Sequence, residues 1–256
     1  MRQSRSLGQV FLSDKNFHKK ILAQLQVKDE DVFEIGAGDG RMSQYIAEQS
    51  RTLVCVELDS RFAGLIKEMF AGNSRVEVIN ADVLKVSLSG KGRDFVVFGN
   101  VPYQISNSLM HYLIQNRGCI KKAWLTLQKE FVQKIIAVPS SKSYGFLSCC
   151  VQYYAKVRKL FDIPRFAFSP VPEVDSTFII LEFYDQLPYK AADEERLFGL
   201  IRKAFSARRK KLANALSMSD SQARAAVSLG IDTNARPENI TLEQFVSLSN
   251  SDVYWA

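Results

Sequence analysis

The chain has 256 residues, 46% apolar and 24% charged, an ordinary globular balance that supports a sizeable core and excludes a disordered polymer. Lys and Arg outnumber Asp and Glu by 34 to 27, for a net charge of +7, a bias too mild to name a partner by itself. No apolar run reaches the roughly 18 residues of a membrane span, and the N-terminal segment Met1–Gly8 lacks the apolar centre of a signal peptide.

Four cysteines (Cys55, Cys119, Cys149, Cys150) form no Cys-x-x-Cys pair, and only His18 and His111 accompany them. A disulfide framework or a zinc cluster is therefore not expected, and free thiols in a reducing cytosol fit.

Strand and helix patterns alternate along the first 185 residues. Asp31–Ile35 reads as an apolar strand that runs into Gly36-Ala-Gly-Asp-Gly40. Arg41–Gln49 then places Met42, Tyr45 and Ile46 at helical spacing. Thr52–Glu57 is a second strand and Arg61–Phe70 a second helix, and Val76–Ile79 and Asp94–Phe98 are the next strands. Asn100-Val-Pro-Tyr103 follows, then a helix through His111 to Ile114. Ala123–Leu127 is a fifth strand, with a helix over Glu130–Val138 behind it. Leu147–Ala155 and Ser176–Glu182 are later apolar segments, the last β-rich enough to close a sheet. Strands separated by helices predict an α/β fold with a parallel sheet and right-handed crossovers. From Asp193 onward the pattern is helical, with Leu197, Leu200, Ile201 and Phe205 on one face. The predicted division is an α/β domain over residues 1–185 and a small helical domain over 186–256.

The charge is unevenly spread. Residues 29–116 hold eight cations and twelve anions, whereas residues 117–165 hold ten cations and two anions. A solvated face and a polyanion-binding face are equally good accounts of that block.

Three features sit at carboxyl ends of successive predicted strands, where doubly wound sheets open their ligand crevice. Glycines at 36, 38 and 40 let the backbone turn tightly and approach a ligand at a helix N-terminus. A dinucleotide fingerprint is not met, because Arg41 holds its third glycine position. Glu57 offers a carboxylate to both ribose hydroxyls of a nucleoside, and a solvated strand-end acid explains it as well when taken alone. Asp82, in Asn80-Ala-Asp82, suits an adenine amino group, and suits a turn equally. The Glu34-x-Gly-x-Gly-x-Gly40 run resembles the first motif of S-adenosylmethionine-dependent methyltransferases. Asn100-Val101-Pro102-Tyr103 resembles the Asn/Asp-Pro-Pro-Tyr motif of methyltransferases that act on planar amino groups. Such an amine is a poor nucleophile because its lone pair is delocalised. An amide oxygen and a main-chain carbonyl that accept its hydrogens would pull it towards tetrahedral geometry and stabilise developing charge. Tyr103 offers a stacking face for an extruded base; a structural Pro-Tyr turn is the plain alternative.

The resemblance extends, in order, from about residue 7 to 216. Leu7-Gly-Gln-Val-Phe-Leu12, Asn100-Val-Pro-Tyr-Gln-Ile-Ser106, Tyr144-Gly-Phe-Leu-Ser148 with Gln152, Phe168-Ser-Pro-Val-Pro-Glu-Val-Asp-Ser176 and Phe205-Ser-Ala-Arg-Arg-Lys-Lys-Leu-Ala-Asn-Ala-Leu216 are similar to blocks of the ribosomal RNA adenine dimethyltransferase family, small-subunit branch. The resemblance implies a Rossmann-like methyltransferase sheet with a C-terminal helical RNA-binding domain, and S-adenosylmethionine as cofactor. It implies dimethylation of the 6-amino groups of two adjacent adenosines in the 3′-terminal helix loop of small-subunit rRNA. The substrate would be met within a pre-ribosomal particle, by a cytoplasmic monomer without metal.

By the same resemblance Val10, Leu12, Gly36, Gly38, Glu57, Asp82 and Asn100 line the cofactor, and Asn100 with the Val101–Pro102 carbonyls holds the amine. Tyr103 and Phe168 sandwich the base, and Arg208, Arg209, Lys210 and Lys211 track phosphates. Lys121, Lys122, Lys156, Arg158 and Lys159 are weaker candidates for the same surface. Trp124, Phe146 and Tyr153 are expected in the core, and His18 and His111 as packing or surface residues. Val10 departs from the family's asparagine, which contacts the methionine end of the cofactor, so one polar contact should be missing or supplied elsewhere. Gln104 for asparagine and Glu173 for lysine are tolerable departures, although Glu173 removes one positive charge near the expected base pocket. A large-subunit rRNA methylase of the resistance type and a non-catalytic RNA-binding assembly or transcription factor are the alternatives.

Overall fold

In the structure, a computed structural model that describes residues 10–88 and 94–255, the predicted strands pair into one sheet. Leu7, Gly8 and Gln9 of the opening motif lie outside the described residues. The elements run β1 (Phe11–Leu12), α1 (Lys15–Leu22), β2 (Asp31–Ile35), α2 (Arg41–Gln49), β3 (Thr52–Glu57), α3 (Ser60–Met69), β4 (Val76–Asn80), β5 (Phe95–Asn100), α4 (Ser106–Gln115), β6 (Ile120–Gln128), α5 (Lys129–Ile135), α6 (Phe146–Tyr154), β7 (Ala155–Ile163), β8 (Phe168–Ser169) and β9 (Ser176–Phe183). The sheet order is β4-β3-β2-β5-β6-β9-β7. Strands β2 to β6 pair in parallel and β9 runs antiparallel to β6. This is the α/β architecture expected, with the closing strand inserted beside β6.

Central strands β2, β3 and β5 are buried on both faces, which is why they read as near-continuous apolar runs. One face packs Val32, Val96, Phe98, Trp124, Phe178 and Ile180 against Leu12, Ile21 and Leu25 from the N-terminal segment. Strand β7 is not foreseen in the sequence because it lies at the sheet edge, where charged residues are favoured. Helices start on side-chain caps: Asp14 accepts from the Asn16 N–H at α1 and Asp59 from the Arg61 N–H at α3.

The chain divides into two units. One holds the described residues to Val132 with Val157–Phe183, and the other holds Gln133–Lys156 with the residues from Tyr184 onward. The second unit contains α6, α7 (Glu194–Ser206), α8 (Leu212–Leu216), α9 (Asp220–Ser228), α10 (Leu242–Ser249) and α11 (Asp252–Trp255). Sequence pattern groups residues 133–156 with the α/β domain because they follow a strand. Packing groups them with the helices: Tyr153 lies 5.4 Å from the Phe198 ring, Tyr144 lies 5.8 Å from Phe205, and Phe205 lies 6.0 Å from Phe245. Trp124 and Tyr153 are buried, as expected of core aromatics, while Phe146 is half-buried beneath the Arg202 guanidinium.

Candidate active site

The loop after β2 turns on three left-handed glycines, Gly36 (φ +68°), Gly38 (φ +55°) and Gly40 (φ +78°). A side chain is excluded twice over at Gly38: its Cβ would lie 2.8 Å from the Phe11 ring, and positive φ is strained for any residue with a Cβ. The Gly38 N–H donates to Glu57 Oε2 at 2.9 Å, and the Asp59 N–H donates to Glu57 Oε1 at 2.9 Å. Glu57 is thus the post to which the glycine loop is tied, a link that the sequence reading does not contain. Burial pushes its pKa up, opposed by these two N–H bonds and by a third from the Leu58 N–H.

The loop opens onto a cavity walled by Val10, Leu12, Gly36, Gly38, Glu57, Asp82 and Asn100, so every residue expected to line the cofactor faces one space. Asp82 does two jobs that the sequence offered as alternatives: Oδ1 caps a short helical turn through the Leu84 N–H at 3.0 Å, and the residue also stands on the wall. Asn100 ends β5, and its Nδ2 donates to the main-chain carbonyl of Val10 at 3.1 Å. That contact uses the backbone of residue 10, so it survives the presence of valine there. With Nδ2 turned to Val10, the amide presents Oδ1 as its acceptor. Pro102 shares the wall; its carbonyl accepts from the Ile105 N–H at 3.1 Å, which leaves one lone pair. Glu57, Gly36, Asn100 and Thr126 stand side by side at the carboxyl ends of β3, β2, β5 and β6, a polar row across four neighbouring strands.

Two expected residues lie off the cavity wall and two are placed differently. Val101 and Tyr103 are not on the cavity wall: Val101 is buried, and Tyr103 is half-buried with its hydroxyl 2.8 Å from Ser176 Oγ. Phe168 is corrected: its ring is 2% exposed, packed with Leu12, Ala167 and Phe178, and offers no face to a base. Pairing of β8 with β1, Phe168 opposite Leu12, turns it inward. Arg208 is also corrected. Its guanidinium donates to Glu238 Oε2 at 2.5 Å and to the Lys142 carbonyl at 2.7 Å, which makes it an internal tie of the helical unit. Arg209 and Lys210 are exposed with no ion pair among the described residues, and Lys211 Nζ reaches Asn234 Oδ1 at 3.0 Å.

The basic central block is answered in part by the chain itself. Lys121 pairs with Glu30, Arg158 with Glu182 and Lys159 with Asp162, and Lys122 lies over the Trp124 ring. Exposed pairs of this kind contribute little to stability, but they remove those cations from the count available to a polyanion.

Leu58, His18, Met42, Glu34 and Thr126 also line the cavity and were not foreseen. Leu58 is 53% exposed, and an apolar residue directly after the strand-end acid is the signal that marks it. His18 carried no such signal: it reaches the wall through α1, and burial, reinforced by Arg41, lowers its pKa. Glu34 is 2% exposed, and burial raises its carboxyl to about 7. A folded-state pKa above the unfolded one means that stability falls as pH rises from about 4.5 to about 7 and is level above that. Glu34→Gln is therefore expected to stabilise the protein by about 2 kcal/mol at pH 8 and to flatten this slope, measured by denaturant unfolding from pH 5 to 8.

Among the described residues no helix is long and apolar enough to cross a membrane. Comparisons with known proteins show the family. The family model described as ribosomal RNA adenine dimethylase matches residues 1–252. A protein of Desulforapulum autotrophicum named ribosomal RNA small subunit methyltransferase A is 38% identical, over 98% of this chain and 92% of its own. One of the same name from Legionella pneumophila is 37% identical, over 97% and 98%. A dimethyladenosine transferase from Plasmodium falciparum superposes with TM-score 0.78 at 23% identity, covering 93% of this chain and 95% of its own, and shares the fold. The 23S rRNA methyltransferase ErmE does so with TM-score 0.74 at 24% identity, covering 93% and 97%. The two structures show the fold alone, while the sequence matches point one way: the chain belongs to the ribosomal RNA adenine dimethylase family.

Proposed function

We propose that this protein transfers methyl groups from S-adenosylmethionine to the 6-amino groups of two adjacent adenosines in the 3′-terminal helix loop of small-subunit rRNA. It meets that RNA in a pre-ribosomal particle, as a cytoplasmic monomer. The observation that carries this reading is Asn100, with Nδ2 held by the Val10 carbonyl and Oδ1 available as acceptor, on the wall that the Gly38–Glu57 clamp also forms.

The residues present fit the cofactor. The left-handed glycines leave a side-chain-free approach to the loop, and the Glu57 carboxylate on the same wall is an acceptor for the ribose hydroxyls. Leu58 and Leu12 give apolar surface and Asp82 a polar edge at the same wall. When bound, S-adenosylmethionine supplies an already activated methyl group, so neither a metal nor a strong base is needed. Asn100 Oδ1 and the Pro102 carbonyl accept hydrogens of the target amine, hold it in line and stabilise the charge it gains. Tyr103, anchored through Ser176, carries the base stack without Phe168.

Helical residues hold the RNA through Arg209 and Lys210. A double Arg209→Ala, Lys210→Ala variant is expected to weaken rRNA binding several-fold and flatten its salt dependence, with cofactor affinity unchanged. Arg208→Ala is expected instead to cost about 2 kcal/mol of stability through its lost internal hydrogen bonds. Filter binding across a salt series and thermal unfolding separate the two effects.

The function itself is tested by offering methyl-labelled cofactor with immature small subunits or with large-subunit RNA. Label in the small-subunit rRNA alone is the expected result. Label only in large-subunit RNA selects a resistance-type methylase, and label in neither selects a non-catalytic RNA-binding factor.

A further inference from the structure

We propose that the Thr126 hydroxyl is a specificity-determining contact, donating a hydrogen bond to the ring nitrogen beside the amino group that Asn100 receives. This rests on the reading of Asn100 given above. Thr126 lies on β6 as the direct register partner of Asn100 on β5, and both line the same cavity. Thr126 is 2% exposed, and its Oγ1 has no hydrogen-bond partner among the described residues. The other buried hydroxyl in that condition, Ser43, is directed at the Glu34 carboxyl, whose charged form it favours. No such interaction is found for Thr126 among the described residues.

A buried hydroxyl without a partner is costly, and valine would fill the same volume at no such cost. A threonine kept here, on the wall of a ligand cavity, implies a partner that arrives with the ligand. Adenine supplies one. Its edge sets the amino donor next to a ring-nitrogen acceptor, N1 on one side and N7 on the other. An asparagine side chain alone can satisfy both groups, with the amide oxygen accepting and the amide nitrogen donating. In this site the Asn100 nitrogen is turned to Val10, so the donor half must come from elsewhere. Register places the Thr126 hydroxyl one strand spacing away, about 4.8 Å between backbones, with one hydrogen to give. Acceptor beside donor is the complement of the adenine edge. Guanine and inosine, with an oxygen in place of the amine, present an acceptor to Asn100 Oδ1 and are rejected.

The test measures kcat/KM for methyl transfer to small-subunit rRNA, cofactor affinity and thermal stability for wild type, Thr126→Val and Thr126→Ser. The expected result is a loss of about tenfold in kcat/KM for Thr126→Val, with cofactor affinity unchanged and stability equal or higher. Thr126→Ser should recover most of the loss. A structural role would not lower activity while sparing or raising stability. Wild-type enzyme is also given RNA with 1-deazaadenosine or 7-deazaadenosine at the target. One of the two should lose the same factor, and Thr126→Val should lose nothing further on it. Full activity of Thr126→Val, or wild-type indifference to both deaza substrates, overturns the proposal. If Asn100→Ala is inactive while Thr126→Val is fully active, only this inference fails. Full activity of both variants brings down the account of amine binding as well.

Discussion

Asn100→Ala is expected to lower kcat for methyl transfer by about a hundred- to a thousandfold while the protein stays folded. The magnitude is that of removing one preorganised group that stabilises developing charge in a reaction needing no metal or strong base. The fold is spared because the side chain makes one hydrogen bond, to the Val10 carbonyl, at the very end of β5. Cofactor affinity should drop only modestly, since the glycine loop and Glu57 remain. Single-turnover methyl transfer beside equilibrium binding of the cofactor checks both halves. Undiminished transfer would mean that the amine is not activated at this residue.

Gly38→Ala has the second large effect, and the opposite signature. A methyl group there meets the Phe11 ring at 2.8 Å and occupies a backbone at φ +55°. The loop must shift, and the Gly38 N–H then leaves the Glu57 carboxylate. That carboxylate is 5% exposed, so it loses one of the bonds that keep its charge tolerable. We expect cofactor affinity to fall by more than tenfold and stability by about 2 kcal/mol. Calorimetric titration with the cofactor and chemical unfolding are the measurements. A variant with native affinity would separate the loop from the ligand.

How much of this was legible in the sequence depends on the distance over which each feature is decided. Strands β2 and β3 begin and end where their apolar runs do, because burial on both faces writes itself into consecutive residues. The residues that gather round the cavity were legible too, since each sits at the carboxyl end of a strand or in a glycine turn whose chemistry is local. Phe168 was not. Whether Phe166 or Phe168 is the exposed ring is decided by a two-residue pairing with Phe11 and Leu12, more than 150 positions away; Phe166 turns out 72% exposed and Phe168 2%. Arg208 looks like its neighbours in a run of four cations, and only the folded positions of Glu238 and the 141–142 carbonyls show it to be tied within its own unit. Thr126 hides for the contrary reason: a threonine in a strand is ordinary, and nothing local shows that its hydroxyl is left without a partner.

The row Glu57, Gly36, Asn100, Thr126 makes the sheet itself a ruler. Neighbouring parallel strands stand about 4.8 Å apart, fixed by main-chain hydrogen bonds, so the row spans roughly 15 Å from Glu57 to Thr126. On the proposed reading, the separation of the ribose contact from the base contacts is therefore graduated in whole strand spacings. Relatives can drift in the residues that dress each mark while the scale stays the same.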